Sequence, residues 1–283
     1  MLVQSSYGKS RVRLVQVLRQ TDRHALHDLT VAIRFHGDYD ASYTDGDNRD
    51  VLPTDTMKNT VYALAARTPI RDPEPFGIAL ARHFLDRNAR LRRVRVDLTE
   101  HLWGRIVRGG REFGQAFLRS GPETRTAAIQ AHRKRFLVGA GISDLVILKS
   151  SQSAFEGFAT DEFTTLPATR DRLLATSLTA TWRYRDPEID FSPVWHAVRA
   201  TLLETFAEHQ SESVQHTLYA MGQAVVDRID EVSAIRLVMP NRHHLPIDLR
   251  PFGLENRNEI FVATDEPHGV IEATIARGNY REG

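Results

Sequence analysis

Leu29-Thr30-Val31-Ala32-Ile33-Arg34-Phe35 places an apolar side chain at every second position, with Leu29, Val31, Ile33 and Phe35 in step. A two-residue period puts those four on one face of a strand and Thr30 and Arg34 on the other, the pattern of a sheet with one face buried. Upstream, residues 10–19 repeat the alternation, Val12, Leu14 and Leu18 against Arg13 and Arg19. The two runs, separated by a polar connection, read as a long hairpin.

Downstream the period changes. Pro53-Thr54-Asp55-Thr56 opens a stretch in which Met57, Val61, Leu64 and Ala65 recur at helical spacing, with a hydroxyl or carboxylate placed to cap the first amides. After the breaker run Thr68-Pro69-Ile70-Arg71-Asp72-Pro73, a second helix carries Phe76, Leu80, Phe84 and Leu85. Val94, Val96 and Leu98 resume alternation, and a further strand is expected through residues 111–119 or 124–135.

Gly139-Ala140-Gly141 marks a boundary, because the order then starts again. Leu145 and Ile147, then Leu178, Ala180 and Trp182, alternate; Ser192-Pro193 caps a helix through Val194, Val198, Leu202 and Phe206. Ser211 to Ser213 precedes another through Leu218, Met221, Val225 and Ile229. Closing strands are expected at residues 232–239, 259–263 and 270–275. The fold class is therefore α+β, two tandem ββααββ domains with antiparallel sheets, residues 1–138 and 139–283. Identities barely match between the halves, so what repeats is the order of elements. Two helices cover only one face of each sheet and leave strand edges that need a partner, which implies an oligomer.

The totals agree with this division. At about 150 residues per domain, 283 residues fit two. With 41% hydrophobic and 26% charged residues the chain can bury a core, which excludes disorder. Lys+Arg 37 against Asp+Glu 36 leaves +1, too little for a dedicated nucleic-acid binder. The absence of cysteine removes disulfides, thiolate nucleophiles, iron–sulfur clusters and cysteine zinc sites, and fits a reducing cytoplasm. No stretch approaches the ~18 consecutive apolar residues of a membrane span. The polar amino terminus and the ending Arg281-Glu282-Gly283 carry no export or peroxisomal signal, so a cytoplasmic location is expected.

Several polar clusters are candidate sites. The tract with Arg82, Arg87, Arg90, Arg92, Arg93 and Arg95 could follow a phosphate backbone, but Asp86, Asp97 and Glu100 lie beside it and favour a solvated face. His24 and His27 sit in a hairpin connection without the glutamate of a zinc-binding helix. His243 and His244 are neighbours in an extended run, where only one can face a given site. Lys9 after Tyr7-Gly8 reads as a strand-edge lysine, and Thr54-Asp55 as a helix cap. Less easily explained by folding are Lys149-Ser150-Ser151-Gln152-Ser153-Ala154-Phe155-Glu156-Gly157-Phe158, Asp161-Glu162-Phe163-Thr164-Thr165-Leu166 and Thr169-Arg170-Asp171-Arg172. To these are added Ser213-Val214-Gln215 and Met239-Pro240-Asn241-Arg242-His243-His244, where Pro240 interrupts the strand. An aromatic face, a guanidinium, carboxamides, an imidazole and a lysine suit a flat anionic heterocycle.

Taken in order with Lys58-Asn59-Thr60, these runs resemble the urate oxidase (uricase) family of the tunnelling-fold (T-fold) group over nearly the whole chain. The resemblance implies two ββααββ domains per subunit that close into a barrel within a homotetramer. It implies that Arg172 and Gln215 clamp the purine edge, that Phe155 stacks on the ring, and that Val214 and Leu166 add backbone or packing contacts. Thr54 and Asp55, from a neighbouring subunit, would complete the pocket, and Lys9 with Thr54 would form a proton relay that Asn241 and His243 continue at a dioxygen or water position. His244 and Arg170 stand where some relatives carry an aromatic residue and a tryptophan. The implied partners are urate and molecular oxygen, with no cofactor, no metal, no nucleic acid and no membrane. Two other readings stay open: a pterin-handling cyclohydrolase of the same fold, whose zinc normally needs the cysteine absent here, and a non-catalytic purine- or RNA-binding oligomer.

Overall fold

The computed structural model describes residues 2–278 and comprises two compact units, one built from the chain up to Gly141 together with Arg183–Pro193, the other from Ile142–Trp182 and the chain from Val194 on. The first unit contains β1 (Tyr7–Leu18), β2 (Ala25–Gly37), α1 (Asp40–Thr44), α2 (Thr54–Arg67), α3 (Pro73–Arg87), β3 (Leu91–Arg108) and β4 (Arg111–His132). The strands form an antiparallel meander in chain order. Register follows the apolar alternation: Leu14 stands opposite Leu29, Val31 opposite Leu98, Ile33 opposite Val96 and Phe35 opposite Val94. A slip of one residue would carry all of these to the wrong face. Met57 and Val61 of α2 and Phe76, Leu80 and Phe84 of α3 cover that face, with the Phe35 and Phe84 rings edge-on at 5.0 Å. Gly77 allows the closest approach, since a Cβ there would stand 2.4 Å from Ile129 Cδ1 and 2.7 Å from Leu98 Cδ1.

Two expectations are corrected by the structure. Residues 111–119 and 124–132 belong to a single strand, β4, whose pairing with β3 skips residues 120–123 between His101–Thr124 and Trp103–Arg119. The irregularity, at which Gly121 has φ 71°, breaks the apolar period and makes one strand read as two. Gly109 and Gly110, both with positive φ, close the β3–β4 hairpin as a tight primed turn. Finally, Thr54 and Asp55 do not cap α2. Pro53 occupies the N-cap with no side-chain hydrogen bond, and Asp55 Oδ1 and Oδ2 instead accept from Lys58 Nζ and Asn59 Nδ2.

A charged cluster lies inside this unit. Glu74, in the first turn of α3, is fully buried and accepts from Arg125 Nη2 at 2.7 Å, while Arg125 Nη1 donates to Asp72 Oδ1 at 3.0 Å. Burial pushes the Glu74 carboxyl up to about 7 against the pull of Arg125. A folded-state value above the unfolded one means that its contribution to stability is complete below the unfolded value and is lost as pH rises through 7. Glu74→Gln should therefore flatten the fall in thermal midpoint between pH 5 and 8, a difference on the order of a few kcal/mol. Parallel wild-type and variant curves would contradict this.

The second element series runs β5 (Arg135–Lys149), β6 (Leu174–Tyr184), α4 (Phe191–Glu208), α5 (Val214–Arg228), β7 (Val232–Pro246), a 3-10 turn (Arg250–Phe252) and β8 (Phe261–Ala276). Within the second unit Leu178, Leu202, Leu218, Met221, Val225, Ile235 and Leu237 form the core. Gly222 lets α5 approach β8, because a Cβ there would lie 2.5 Å from Ile275 Cδ1. Here too the sequence reading needs correction. Ser192 and Pro193 lie in the first turn of α4, after Phe191, where a proline costs no intrahelical bond. The two closing strands after residue 258 are one, β8. Pro240 does not interrupt β7 but pairs with Val270, as a proline can where its nitrogen faces no ladder acceptor. Among the described residues no helix is long and apolar enough to cross a membrane.

Candidate active site

Residues 150–173, between β5 and β6, form no helix and no long strand, yet they are pinned by two isolated bridges. Ser153 pairs with Ser211, through Ala154 N donating to Ser211 O at 2.7 Å and Ser211 N donating to Gln152 O at 3.0 Å. Phe155 and Thr169 exchange both backbone hydrogen bonds, at 2.7 and 3.0 Å, and Arg172 N donates to Ser153 O at 2.8 Å. An irregular loop of this length that is so firmly tied is characteristic of a binding element. Its two anchors bring Phe155 and Arg172 together, with the guanidinium carbon 5.1 Å from the ring centroid. Phe158 stacks on Phe155 at 4.9 Å with an interplanar angle of 13°.

Beside this loop α5 begins. Ser213, extended, caps the helix by accepting from His216 N at 3.1 Å. The N–H groups of Val214 and Gln215 have no acceptor within the helix by geometry, so the helix presents donors and the positive end of its dipole there. The third side comes from β7. Its pairing with β8 passes from Asn241–Gly269 to His243–Thr264, leaving residues 265–268 out of the ladder.

These three pieces enclose a cavity of about 370 Å³, lined by Phe155, Leu166, Arg172, Val214, Gln215, Asn241 and His243 among others. The structure thus gathers seven of the residues singled out from sequence. The volume suits a small planar ligand, and the lining combines apolar walls with the Arg172 cation, the Asp171 carboxylate, three carboxamides and two imidazoles. Burial lowers the Arg172 pKa, and its buried Nε has no hydrogen-bond partner among the described residues. A guanidinium in that state offers its donors to a ligand.

Lys9, Thr54 and Asp55 do not line this cavity; they belong to the first unit. Lys9 is half-buried on β1 opposite Ile33. Thr54 is the first residue of α2. The Lys58 ammonium, by hydrogen bond and charge, holds the exposed Asp55 carboxyl below its ordinary range, with a smaller contribution from Lys9.

The expectation that only one of His243 and His244 could face a site is overturned, since both line the cavity. Strict alternation fails where a strand bends at an irregular pairing. Arg170 is exposed and donates from Nε to Glu156 Oε2 at 3.3 Å, which places it on the surface. Asn258, Phe261 and Ile271 also line the cavity and were not foreseen. Phe261 and Ile271 look like ordinary strand residues in sequence, and Asn258 sits in a loop with φ 66°. Elsewhere, His27 Nδ1 lies 3.0 Å from Glu100 Oε1. Arg90, Arg92 and Arg95 are paired with Asp50, Asp38 and Asp97, which neutralises much of the arginine tract.

Comparison with known proteins places this geometry in context. The sequence model of the Uricase family matches residues 5–130 and 138–272. Uricase from Arthrobacter globiformis is 44% identical over 280 residues, spanning 99% of this chain and 91% of the relative. Uricase from Danio rerio is 36% identical over 281 residues, spanning 97% and 94%. The crystal structure of the Arthrobacter globiformis uricase superposes with a TM-score of 0.95 at 43% identity, covering all of this chain and 97% of that one. A uricase from Bacillus fastidious shares the fold, with a TM-score of 0.83 at 23% identity over 96% and 93%. A family match across nearly the whole chain, relatives 36% and 44% identical and a shared backbone all lead to one assignment: the chain belongs to the uricase family.

Proposed function

We propose that this chain is a urate oxidase that converts urate, O₂ and water to 5-hydroxyisourate and H₂O₂ without metal or flavin. The observation that carries the reading is the single cavity in which Phe155, Arg172, Val214, Gln215, Asn241 and His243 meet. A flat ring laid on Phe155 presents its edge to the Arg172 fork and the Gln215 carboxamide, while the Val214 amide, at the positive end of α5, faces a growing negative charge. Deprotonated urate is electron-rich enough to reduce dioxygen itself, so the protein's task is proton removal, alignment and anion stabilisation. Asn241 and His243 hold the dioxygen or water position.

In this reading Lys9 and Thr54 form the proton relay and reach the cavity from a neighbouring subunit, together with Asp55, in a homotetramer whose sheets close into a barrel. Exposed Trp103, Val107, Phe113 and Leu118 on the β3–β4 hairpin give such an assembly apolar surface to cover. Mixing subunits that carry Thr54→Ala with subunits that carry Lys9→Met does not separate the two sides of the cavity, because both groups lie on one chain; mixing subunits bearing Lys9→Met with subunits bearing Arg172→Lys, assayed at urate well below the KM of the latter, does. Mixed tetramers should then regain part of the activity that each parent lacks, and no recovery after verified reassembly would argue for sites within one chain. The absence of cysteine fits a reducing cytoplasm.

The direct test is to treat the purified protein with a chelator, add urate, and follow its ultraviolet absorbance together with oxygen uptake and peroxide. Urate loss matched by oxygen uptake and peroxide is expected, undiminished by chelation. Activity lost on chelation and recovered with a metal would overturn the cofactor-free mechanism while leaving the substrate in place. No turnover at all, with RNA binding that weakens steeply with salt, would select the non-catalytic reading.

A further inference from the structure

The cavity walls come from stretches distant in the chain, and two polar side chains join them. Lys149, the last residue of β5, is buried and donates from Nζ to the His209 carbonyl at 2.5 Å, in the loop that leads to α5. This bond runs beside the Ser153–Ser211 bridge, and the Ser211 hydroxyl continues it by donating to Ser213 O at 3.1 Å, at the cap of α5. On the other side, Asp171 Oδ2 accepts from Ser151 Oγ at 2.8 Å, and Oδ1 lies 3.4 Å from Ser153 N. Residues 150–154 are thereby held from two directions.

We propose that Lys149 and Asp171 are positioning residues for urate: they clamp residues 150–154 and so fix the Phe155–Arg172 pair against Val214 and Gln215. The inference rests on the assignment of those four as substrate contacts. Residues 150–154 lie in no helix or long strand, and Ser153 and its bridge partner Ser211 are fully buried, each with 0% accessible surface. Polar joints must therefore do what apolar packing does elsewhere. A buried ammonium loses its water and needs the carbonyl, which makes that bond directional and strong. Burial also lowers the Lys149 pKa. Displacing a clamping group by ~1 Å can cost about 10²-fold in rate, so the joints matter even where, as at Lys149 and Ser151, the side chain does not line the cavity, whereas Asp171 also lines it.

The test is steady-state kinetics with urate, alongside thermal unfolding, for Lys149→Met, Asp171→Ala, Asp171→Asn and Ser151→Ala, with Arg172→Lys as reference. Lys149→Met and Asp171→Ala should raise KM roughly tenfold with kcat changed less than about threefold, because a loosened clamp removes binding more than chemistry. Asp171→Asn, which keeps an acceptor for Ser153 N and a partner for the Ser151 hydroxyl, should recover most of that rise. If Lys149→Met, at the buried joint, proves too disruptive to fold, Ser151→Ala decides, since Ser151, like Asp171, is exposed: a raised KM at an unchanged thermal midpoint supports the inference, and an unchanged KM overturns it. A raised KM in Arg172→Lys with none in the joint variants would overturn this inference alone. An unchanged KM in Arg172→Lys itself would overturn the contact assignment and the inference with it.

Discussion

Lys9→Met is expected to lower turnover by about 10²-fold or more while leaving folding and assembly intact, in line with the usual contribution of a general base. A lysine removes a proton only in its neutral form, and methionine keeps the stem while deleting the amine. The position tolerates this exchange structurally. Lys9 is half-buried on β1, its backbone pairs with Ile33, and no core side chain depends on its ammonium. Loss of the amine therefore reads on chemistry. The measurement is kcat from urate absorbance and oxygen uptake, with the thermal midpoint and the size of the assembly as controls. Near-normal turnover in a folded variant would remove Lys9 from the relay.

The second large effect concerns recognition. Arg172→Lys should weaken urate binding by roughly 10- to 100-fold, the loss of about 1.5–3 kcal/mol expected when a paired charge-assisted hydrogen bond disappears. A lysine ammonium is a point donor and reproduces neither the planar fork nor the stacking of Arg172 over Phe155 at 5.1 Å. Folding should change little. The ties that Arg172 makes within the chain run through its backbone, which donates to Ser153 O at 2.8 Å, while its Nε has no partner among the described residues. Titration calorimetry with urate under anaerobic conditions gives the affinity without turnover. Equal affinities for variant and parent would contradict the clamp.

Element order was legible wherever one period ran without interruption. Leu29 to Phe35, Val94 to Leu98 and the apolar spacing of α3 and α5 read true because burial of one face is the dominant force on those residues. The reading failed where geometry departed from regularity. Skipped residues in β4 and β8 make single strands look like pairs, Pro240 looks like a break in sequence, and Thr54-Asp55 like a cap. None of these leaves a periodic trace, since each depends on which acceptor or neighbour happens to stand opposite.

Alternation and turn chemistry were enough for the α+β class, the repeated ββααββ order and the identity of the buried faces, because those follow from local spacing and the cost of leaving apolar area in water. Ordered motifs were enough for the family. Only the tertiary structure decided that Phe155, Leu166, Arg172, Val214, Gln215, Asn241 and His243 share one cavity, that His244 joins His243 on its wall, and that Lys149 and Asp171 tie its sides together. Those relations depend on hydrogen bonds between segments up to 60 residues apart, as from Lys149 to His209, and no local pattern records which distant carbonyl a buried amine will find.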